Sequence, residues 1–146
     1  MPLSPTKKFT LQKLESEGQP LAMFACSGSA GVEVKGATLE GQFQFESGNC
    51  FLVLTDDSPF EESIRCYLLS KENAVVDQLE FAAPYQSLII QEIEVVGEHG
   101  LRLHCSGNTK LKIDIREVRG SVVKRLFSRF HHSNKGMITL TEETPN

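Results

Sequence analysis

The side chains of this sequence that most often bind metals in proteins are its histidines and cysteines. They are His99, His104, His131 and His132, together with Cys26, Cys50, Cys66 and Cys105. A zinc site needs three or four such ligands that converge on one ion. The neighbours His104 and Cys105 would point to opposite faces of a strand, because side chains alternate along a strand. We therefore predict no metal site and no bound cofactor.

The loop after Cys26 is the best candidate for nucleophilic or anion-binding chemistry. Cys26 precedes Ser-Gly-Ser-Ala-Gly at 27–31, a segment whose backbone amides could bind an anion. Phosphate-binding and nucleophile loops of this kind lead into a helix and carry a GK[ST] or GxSxG pattern, and neither pattern is present. We interpret the segment as a hairpin turn. No catalytic residue is predicted, and a non-enzymatic role is favoured.

A cluster of acids, Asp56, Asp57, Glu61 and Glu62, surrounds Ser58-Pro59. This cluster lacks the glycine and the ligand spacing of a calcium-binding loop. We interpret it as a solvated acidic loop.

The charge of the chain is distributed unevenly. Residues 1–119 hold 11 basic and 17 acidic side chains, a net charge of −6, whereas 120–135 hold four basic side chains and no acid, a net charge of +4. An acidic body joined to one basic segment is a polarised molecule, and the basic segment is either a solvated face or a surface that meets a negatively charged partner. The candidate binding residues in or beside this segment are Lys124, Arg125, Arg129, His131 and His132.

The element that would position these basic residues is an amphipathic helix at 120–132. Apolar residues there recur with a period of about 3.6, at Val122, Val123, Leu126, Phe127 and Phe130. Ser121 can cap the start of the helix, and Gly136 lies shortly after its end. The sequence therefore predicts a C-terminal helix with one apolar and one basic face.

The body before this helix alternates with the period of two that is typical of β strands. Leu101, Leu103 and Cys105 form one alternating set, and Leu111, Ile113 and Ile115 form the next, with the turn residues 106–109 between them. Alternation slips near Gln91-Glu92, where one extra residue would form a β-bulge. Further hairpins are predicted around 47–49 and 71–73, and a turn at 97–100.

These segments predict a mainly β domain with about eight or nine antiparallel strands. Short connections favour an antiparallel meander that forms a barrel, a roll or a sandwich, with residues 1–146 as a single domain. Residues 1–8 are expected to be a loose arm, 9–118 the β body, 120–132 the helix, and 133–146 a tail or an edge strand. Residues 9–14 are ambiguous between strand and helix. On the strand at 37–46, Leu39, Phe43 and Phe45 are expected to share one face.

Composition places the chain among ordinary globular proteins, with 40% hydrophobic and 23% charged residues. Its apolar runs are too short for a membrane helix, and no signal peptide is recognisable at the start. We therefore expect a cytoplasmic protein whose four cysteines are free thiols.

Two functions remain open from the sequence. The first is a non-catalytic binding or assembly module that uses the basic helix or an exposed strand edge. Its partner would be an acidic protein surface or a second copy of the chain; an anionic membrane is less favoured, and nucleic acid is disfavoured by the acidic body and the absence of Trp. The second is a barrel, with or without enzymatic activity, that holds a small ligand in an apolar interior lined by Phe43, Phe45, Phe51 and Phe81.

Overall fold

The strands of this protein are antiparallel throughout. The computed structural model describes residues 3–7, 9–14, 22–27, 30–36, 38–55, 61–84, 89–117, 131–133 and 137–143. The strands are β1 (Ser4–Pro5), β2 (Thr10–Leu14), β3 (Ala22–Ser27), β4 (Ala30–Lys35), β5 (Thr38–Gln44), β6 (Cys50–Thr55), β7 (Glu61–Leu69), β8 (Val75–Pro84), β9 (Ile90–Val96), β10 (Gly100–Cys105), β11 (Thr109–Ile115), β12 (His131–Ser133) and β13 (Ile138–Glu143). The prediction of a mainly β, antiparallel chain is confirmed.

The strands in the described part of the chain form three sheets. The largest has the order β1-β5-β6-β7-β8-β12, the second has the order β13-β11-β10-β9, and the third has the order β2-β3-β4. Neighbours in sequence are mostly neighbours in a sheet, as expected where short turns join the strands. Each sheet is open, with a first and a last strand, in the described part of the chain.

The main hydrophobic core lies between the six-stranded and the four-stranded sheets. One buried cluster joins inward side chains of both, among them Phe51 and Ile64 from the first sheet and Leu103 and Ile113 from the second. The alternation read from the sequence explains this arrangement, because every second residue of β10 and β11 points inward. Two half-apolar sheets therefore bury their apolar faces against each other.

A second cluster covers the other face of the six-stranded sheet. It contains Cys50, Leu52 and Leu54 of β6 together with Phe9 and Val34 from the N-terminal part of the chain. Because Phe51 and Val53 belong to the main core, β6 is covered on both faces. This explains why 50–54 is an uninterrupted apolar run rather than an alternating one.

The predicted hairpin turns are present. Residues 106–108 turn β10 into β11, and here Gly107 and Asn108 both have positive φ, at 72° and 59°. Glycine and asparagine are the residues that adopt this backbone conformation at the lowest cost. The turns at 47–49, 71–73 and 97–99 likewise lie between paired strands.

Register shifts interrupt three ladders in the described part of the chain, and the one between β7 and β8 leaves Val76 as an extra residue. On β9, the pairing passes from Glu92 to Ile90 and leaves Gln91 as the extra residue, so the predicted bulge is confirmed. On β5, the pairing passes from Leu39 to Gly41 and leaves Glu40 extra, which was not predicted. This bulge reverses the alternation, so Leu39 packs on the second cluster while Phe43 and Phe45 enter the main core. The expectation that all three share one face is therefore wrong.

The N-terminal arm differs from its prediction. Residues 1–8 were expected to be loose, yet Leu3 is buried and β1 pairs with β5. The Gln42 side chain adds two hydrogen bonds to the backbone of Phe9, at 2.8 and 3.0 Å. The ambiguous segment 9–14 contains a strand, β2, in agreement with the favoured assignment.

Differences also occur toward the C-terminus. His131 and His132 lie in β12, which pairs with β8, so they are strand residues rather than the end of a helix. The rest of the helix predicted at 120–132 lies outside the described residues and remains a prediction. The segment 137–141, left open as tail or edge strand, contributes to β13, which pairs with β11 at the border of the four-stranded sheet. Glu61 and Glu62, predicted in the acidic loop, begin β7.

Candidate functional site

The five candidate residues of the sequence do not form a described site. Lys124, Arg125 and Arg129 lie outside the residues that the structure describes. The backbone of His131 and His132 pairs with Phe81 and Glu80 of β8. The basic surface formed by these five residues therefore remains a prediction.

An open groove of about 470 Å³ lies where the borders of the two larger sheets meet. Its walls come from the start of the chain, from β5 and from β9. The lining residues are Pro5, Thr6, Leu39, Glu40, Gly41, Gln42, Phe43, Ile90, Gln91, Glu92 and Ile93. Two bulge residues, Glu40 of β5 and Gln91 of β9, are among them. Bulges are common beside binding sites because they reorient a strand locally.

The two sheets approach closely at the groove. A Cβ atom at Gly41 would lie 2.8 Å from Cδ1 of Ile93 and 3.0 Å from the ring of Phe43, so a larger residue would require a neighbour to move. Glycine at this position therefore allows β5 and β9 to come together. The groove floor is apolar there.

The charges that line the groove are acidic. Glu40 and Glu92 are both exposed, and Glu40 accepts a hydrogen bond from Thr55 at 2.8 Å. No basic residue is among the lining residues in the described part of the chain. The groove thus combines apolar side chains, neutral polar side chains and two carboxylates.

Strand β9 forms one border of this groove and is an edge strand. It pairs with β10 and is the last strand of its sheet among the described residues. Its apolar residues Ile90, Ile93 and Val95 pack on the main core but remain partly exposed, and the preceding Ile89 is 57% exposed. An apolar edge with unpaired backbone groups is a template for another strand.

The outer face of the four-stranded sheet carries an ion-pair network. Arg102 contacts Glu143 at 2.9 Å and Glu94 at 3.2 Å, and His104 contacts Glu94 at 3.1 Å. Hydrogen bonds from His104 and then Arg102 lower the pKa of the Glu94 carboxyl, and a hydrogen bond from Arg102 lowers that of Glu143. These charges are directed at one another across the strands, which is typical of a solvated sheet face.

Polar contacts also join the β5–β6 turn to residues that follow β11. Glu117 accepts hydrogen bonds from the Ser47 hydroxyl and from Asn49 Nδ2, the latter at 3.1 Å. The ring of His99 stacks on buried Phe45 with centroids 5.9 Å apart. These contacts join the β5–β6 turn to the four-stranded sheet, and we interpret them as structural.

The described thiols are poor nucleophiles. Cys50, Cys66 and Cys105 are free and buried. Burial raises the pKa of the Cys105 thiol to about 11 and raises that of Cys66 further. Since the thiolate is the reactive form, burial makes Cys66 and Cys105 poor nucleophiles.

Within the described ranges, no three His, Cys, Asp or Glu side chains lie close enough together to hold a metal ion. No helix within those ranges has the length and apolar character needed to cross a membrane. A scan against models of protein families found no match. Searches of curated proteins and of solved structures likewise found none.

Sequence reasoning missed the groove. It brings together residues from three separate segments, at 5–6, 39–43 and 90–93, and pairing between distant segments leaves no local pattern. One signal was present, because the slipped alternation at Gln91 marked an irregular strand. A bulge on a strand of unknown neighbours does not by itself indicate a site.

Proposed function

We propose that this protein is a non-catalytic binding or assembly module that acts through its surface. The observation that carries the proposal is the groove beside β9, an apolar edge strand that pairs on one side only within the described residues. The backbone N–H and C=O groups along such an edge can form hydrogen bonds with a further strand or with a protein partner.

A second interaction surface is the basic segment with Lys124, Arg125 and Arg129, flanked by His131 and His132. Its support is the net charge of +4 at 120–135 against −6 at 1–119. Opposite charges favour an acidic protein surface or a second copy of the chain as partner. An anionic membrane is the less favoured partner, and the acidic body argues against nucleic acid.

The alternative is a closed barrel that holds a small ligand under the C-terminal helix. The phenylalanines expected to line such an interior, Phe43, Phe45, Phe51 and Phe81, belong to one buried cluster with residues of the facing sheet. Side chains that pack on one another in this way fill a core, which favours surface binding over the alternative.

Sedimentation velocity tests the self-association branch. The electrostatic screening length is about 10 Å at 0.1 M salt and about 3 Å at 1 M salt, so attraction between exposed charges weakens as the salt concentration rises. We expect wild type to assemble at 0.1 M and to be monomeric at 1 M salt, and the triple variant Lys124→Glu, Arg125→Glu, Arg129→Glu to be monomeric at both. The matched control, Lys71→Glu, Lys110→Glu, Arg116→Glu, changes three exposed basic residues and should assemble as wild type does.

Self-association through this segment is contradicted if wild type is a monomer at 0.1 M salt. It is also contradicted if assembly is the same at both salt concentrations and in the triple variant. Crosslinking pull-downs with the same three proteins then test for a different partner. If wild type retains no protein that the triple variant loses, the basic segment is not an interaction surface. A small molecule that co-purifies with the folded protein in native mass spectrometry would favour the barrel alternative.

A further inference from the structure

We propose that the groove beside β9 binds an extended, basic segment of a partner protein, which adds to the four-stranded sheet as a further strand. This inference rests on the proposed binding function and deepens it by naming the kind of partner and its mode of binding. The supporting observations are the edge strand β9, the groove beside it and the charges of the groove.

The mode of binding follows from the backbone of β9. A strand paired on one side exposes a row of N–H and C=O groups along its other side. Extended peptides satisfy such groups by strand addition, in which backbone hydrogen bonds supply affinity and alternate side chains supply specificity. The groove between β9 and β5 provides space directly beside this edge.

Apolar contacts are available along the same path. Ile90 and Ile93 form a partly exposed strip on the core-facing side of β9, and Ile93 lies against Gly41 of the groove. An incoming strand would cover this strip with every second side chain, since successive side chains point to opposite faces. Burial of apolar surface would then add to the backbone hydrogen bonds.

The preference for basic side chains follows from the charges. Glu40 and Glu92 both line the groove, and no Lys or Arg does so among the described residues. On the same strand, Glu94 is already engaged by Arg102 and His104. Glu92 and Glu40 are thus the carboxylates that an incoming Lys or Arg would meet.

A second copy of β9 fits this edge poorly. Antiparallel self-pairing centred on Ile93 would place Glu92 opposite Glu94, and pairing centred on Glu92 would place that residue opposite itself. Like charges directly opposite one another destabilise a sheet. The same charges favour a partner strand of opposite sign.

The bulge at Gln91 has a competing explanation. Natural edge strands often carry bulges and charges that prevent pairing with other chains. Protection of this kind predicts that no extended peptide binds, whatever its charge. Strand addition predicts binding that depends both on charge and on free backbone N–H groups.

The test uses the full-length protein and capped, fluorescein-labelled peptides of alternating lysine and valine, KVKVKVKVK, measured by fluorescence anisotropy at about 0.1 M salt. The peptide EVEVEVEVE, of the same length, is the charge control. We expect the lysine peptide to bind and the glutamate peptide to bind at least about tenfold more weakly. Equal binding of both contradicts the proposed preference for basic side chains.

Two further peptides test the backbone. In one the nitrogens of all lysines are methylated, and in the other the nitrogens of all valines. Because the N–H groups of alternate residues face opposite edges of a strand, strand addition predicts that one methylated peptide loses binding and the other retains it. If both bind like the parent peptide, the edge is not used.

Variants of the protein locate the site. Glu40→Gln with Glu92→Gln removes both charges and leaves an acceptor for Thr55, and should weaken binding of the lysine peptide about fivefold to tenfold. The matched control, Glu72→Gln with Glu98→Gln, removes two exposed charges from turns and should change binding less than about twofold. Equal effects from the two double variants contradict the assignment to the groove.

Absence of binding by every peptide up to about 1 mM, an affinity of about 4 kcal/mol, overturns the proposal and supports a protected edge. Failure of the proposed function has its own measurement, the salt-dependent assembly of wild type that the triple variant at 124, 125 and 129 should lose.

Discussion

Strands β6 and β9 are both rich in apolar residues, yet they occupy opposite environments. In β6, Cys50 to Leu54 are each 0% exposed, with side chains that alternate between the two hydrophobic clusters. In β9, no residue is fully buried, and Ile93 and Val95 alternate with exposed Glu92 and Glu94. The first strand pairs on both sides, and the second pairs only with β10 among the described residues.

This difference shows how neighbours determine what a strand can do. A strand that is covered on both faces and paired at both edges has its backbone groups hydrogen-bonded and its side chains buried. It therefore contributes stability and has no surface for binding. A strand at an edge retains backbone groups and partly exposed side chains, so it can recognise another chain at a cost in local stability.

Truncation in β6 should have the largest effect. Phe51→Ala should lower the free energy of unfolding by about 3–5 kcal/mol, because it removes a ring from the centre of the main core. Ile93→Ala in β9 should cost about 1–2 kcal/mol, since this side chain is already partly exposed. Urea unfolding monitored by circular dichroism measures both. Equal losses would show that the edge is as tightly packed as the centre.

A buried carboxylate should give the next largest effect. Asp77 on β8 is 2% exposed and accepts hydrogen bonds from the backbone N–H groups of Met137 and Ile138, at 2.9 and 3.2 Å. Asp77→Ala leaves these donors buried without an acceptor, so we expect a loss of about 2–4 kcal/mol. Asp114→Ala, the same change on an exposed strand residue, should cost less than about 0.5 kcal/mol.

If both aspartate variants unfold at the same urea concentration, Asp77 does not tie the β8 region to the start of β13. A large loss from Asp77→Ala alone would place this carboxylate with the covered interior rather than with the solvated charges of the four-stranded sheet.

Strands could be predicted from the sequence where apolar and polar residues alternate clearly. The hairpin at 101–115 was read correctly because each strand shows three inward apolar residues and a turn of Ser, Gly, Asn and Thr. The bulge at Gln91 was visible because Ile90 and Ile93 are three residues apart, which breaks the period of two. At Glu40 a bulge of the same kind was invisible, since Leu39, Gly41 and Phe43 keep a regular spacing and glycine has no side chain to reveal the phase.

Contacts between distant segments could not be predicted. The arm at 1–8 was predicted to be loose, yet Ser4 and Pro5 pair with β5, about 40 residues away along the chain. Gly41 meets Ile93 of another sheet, and neither residue carries a local signal of the other. The candidate surface at 120–132 was read from helical periodicity alone, and apart from His131 and His132, which lie in a strand, it remains a prediction.

Thiol labelling should separate the interior from the edge without any substitution. Cys105 pairs with Ile90 where the register of β9 shifts, whereas Cys66 lies in the middle of the six-stranded sheet. Burial raises the pKa of both thiols, of Cys66 more than of Cys105. Because local opening at an edge costs less than opening of the centre, we expect iodoacetamide to label Cys105 before Cys50 and Cys66. Mass spectrometry of the digested protein gives the order.

Labelling of Cys66 first would contradict the comparison. After unfolding in denaturant without reductant, all four cysteines should react, as the sequence predicts. Two or fewer reactive thiols would indicate a disulfide and contradict that prediction.

The ion pairs beside the edge should have the smallest effect, and its sign depends on pH. Hydrogen bonds from His104 and Arg102 lower the pKa of Glu94 in the folded state. A carboxyl with a lowered pKa stabilises the fold at pH values above its unfolded pKa, and this contribution is lost as the pH falls through the folded pKa. Glu94→Gln should therefore lower the melting temperature slightly at pH 7, and the difference from wild type should shrink below a pH of about 4.5.

Glu98→Gln, an exposed turn residue, should show no such pH-dependent difference. Thermal melts of the three proteins between pH 3 and pH 7 provide the measurement. A Glu94→Gln deficit that persists unchanged at pH 3 would mean that the side chain acts through packing at the edge rather than through its charge.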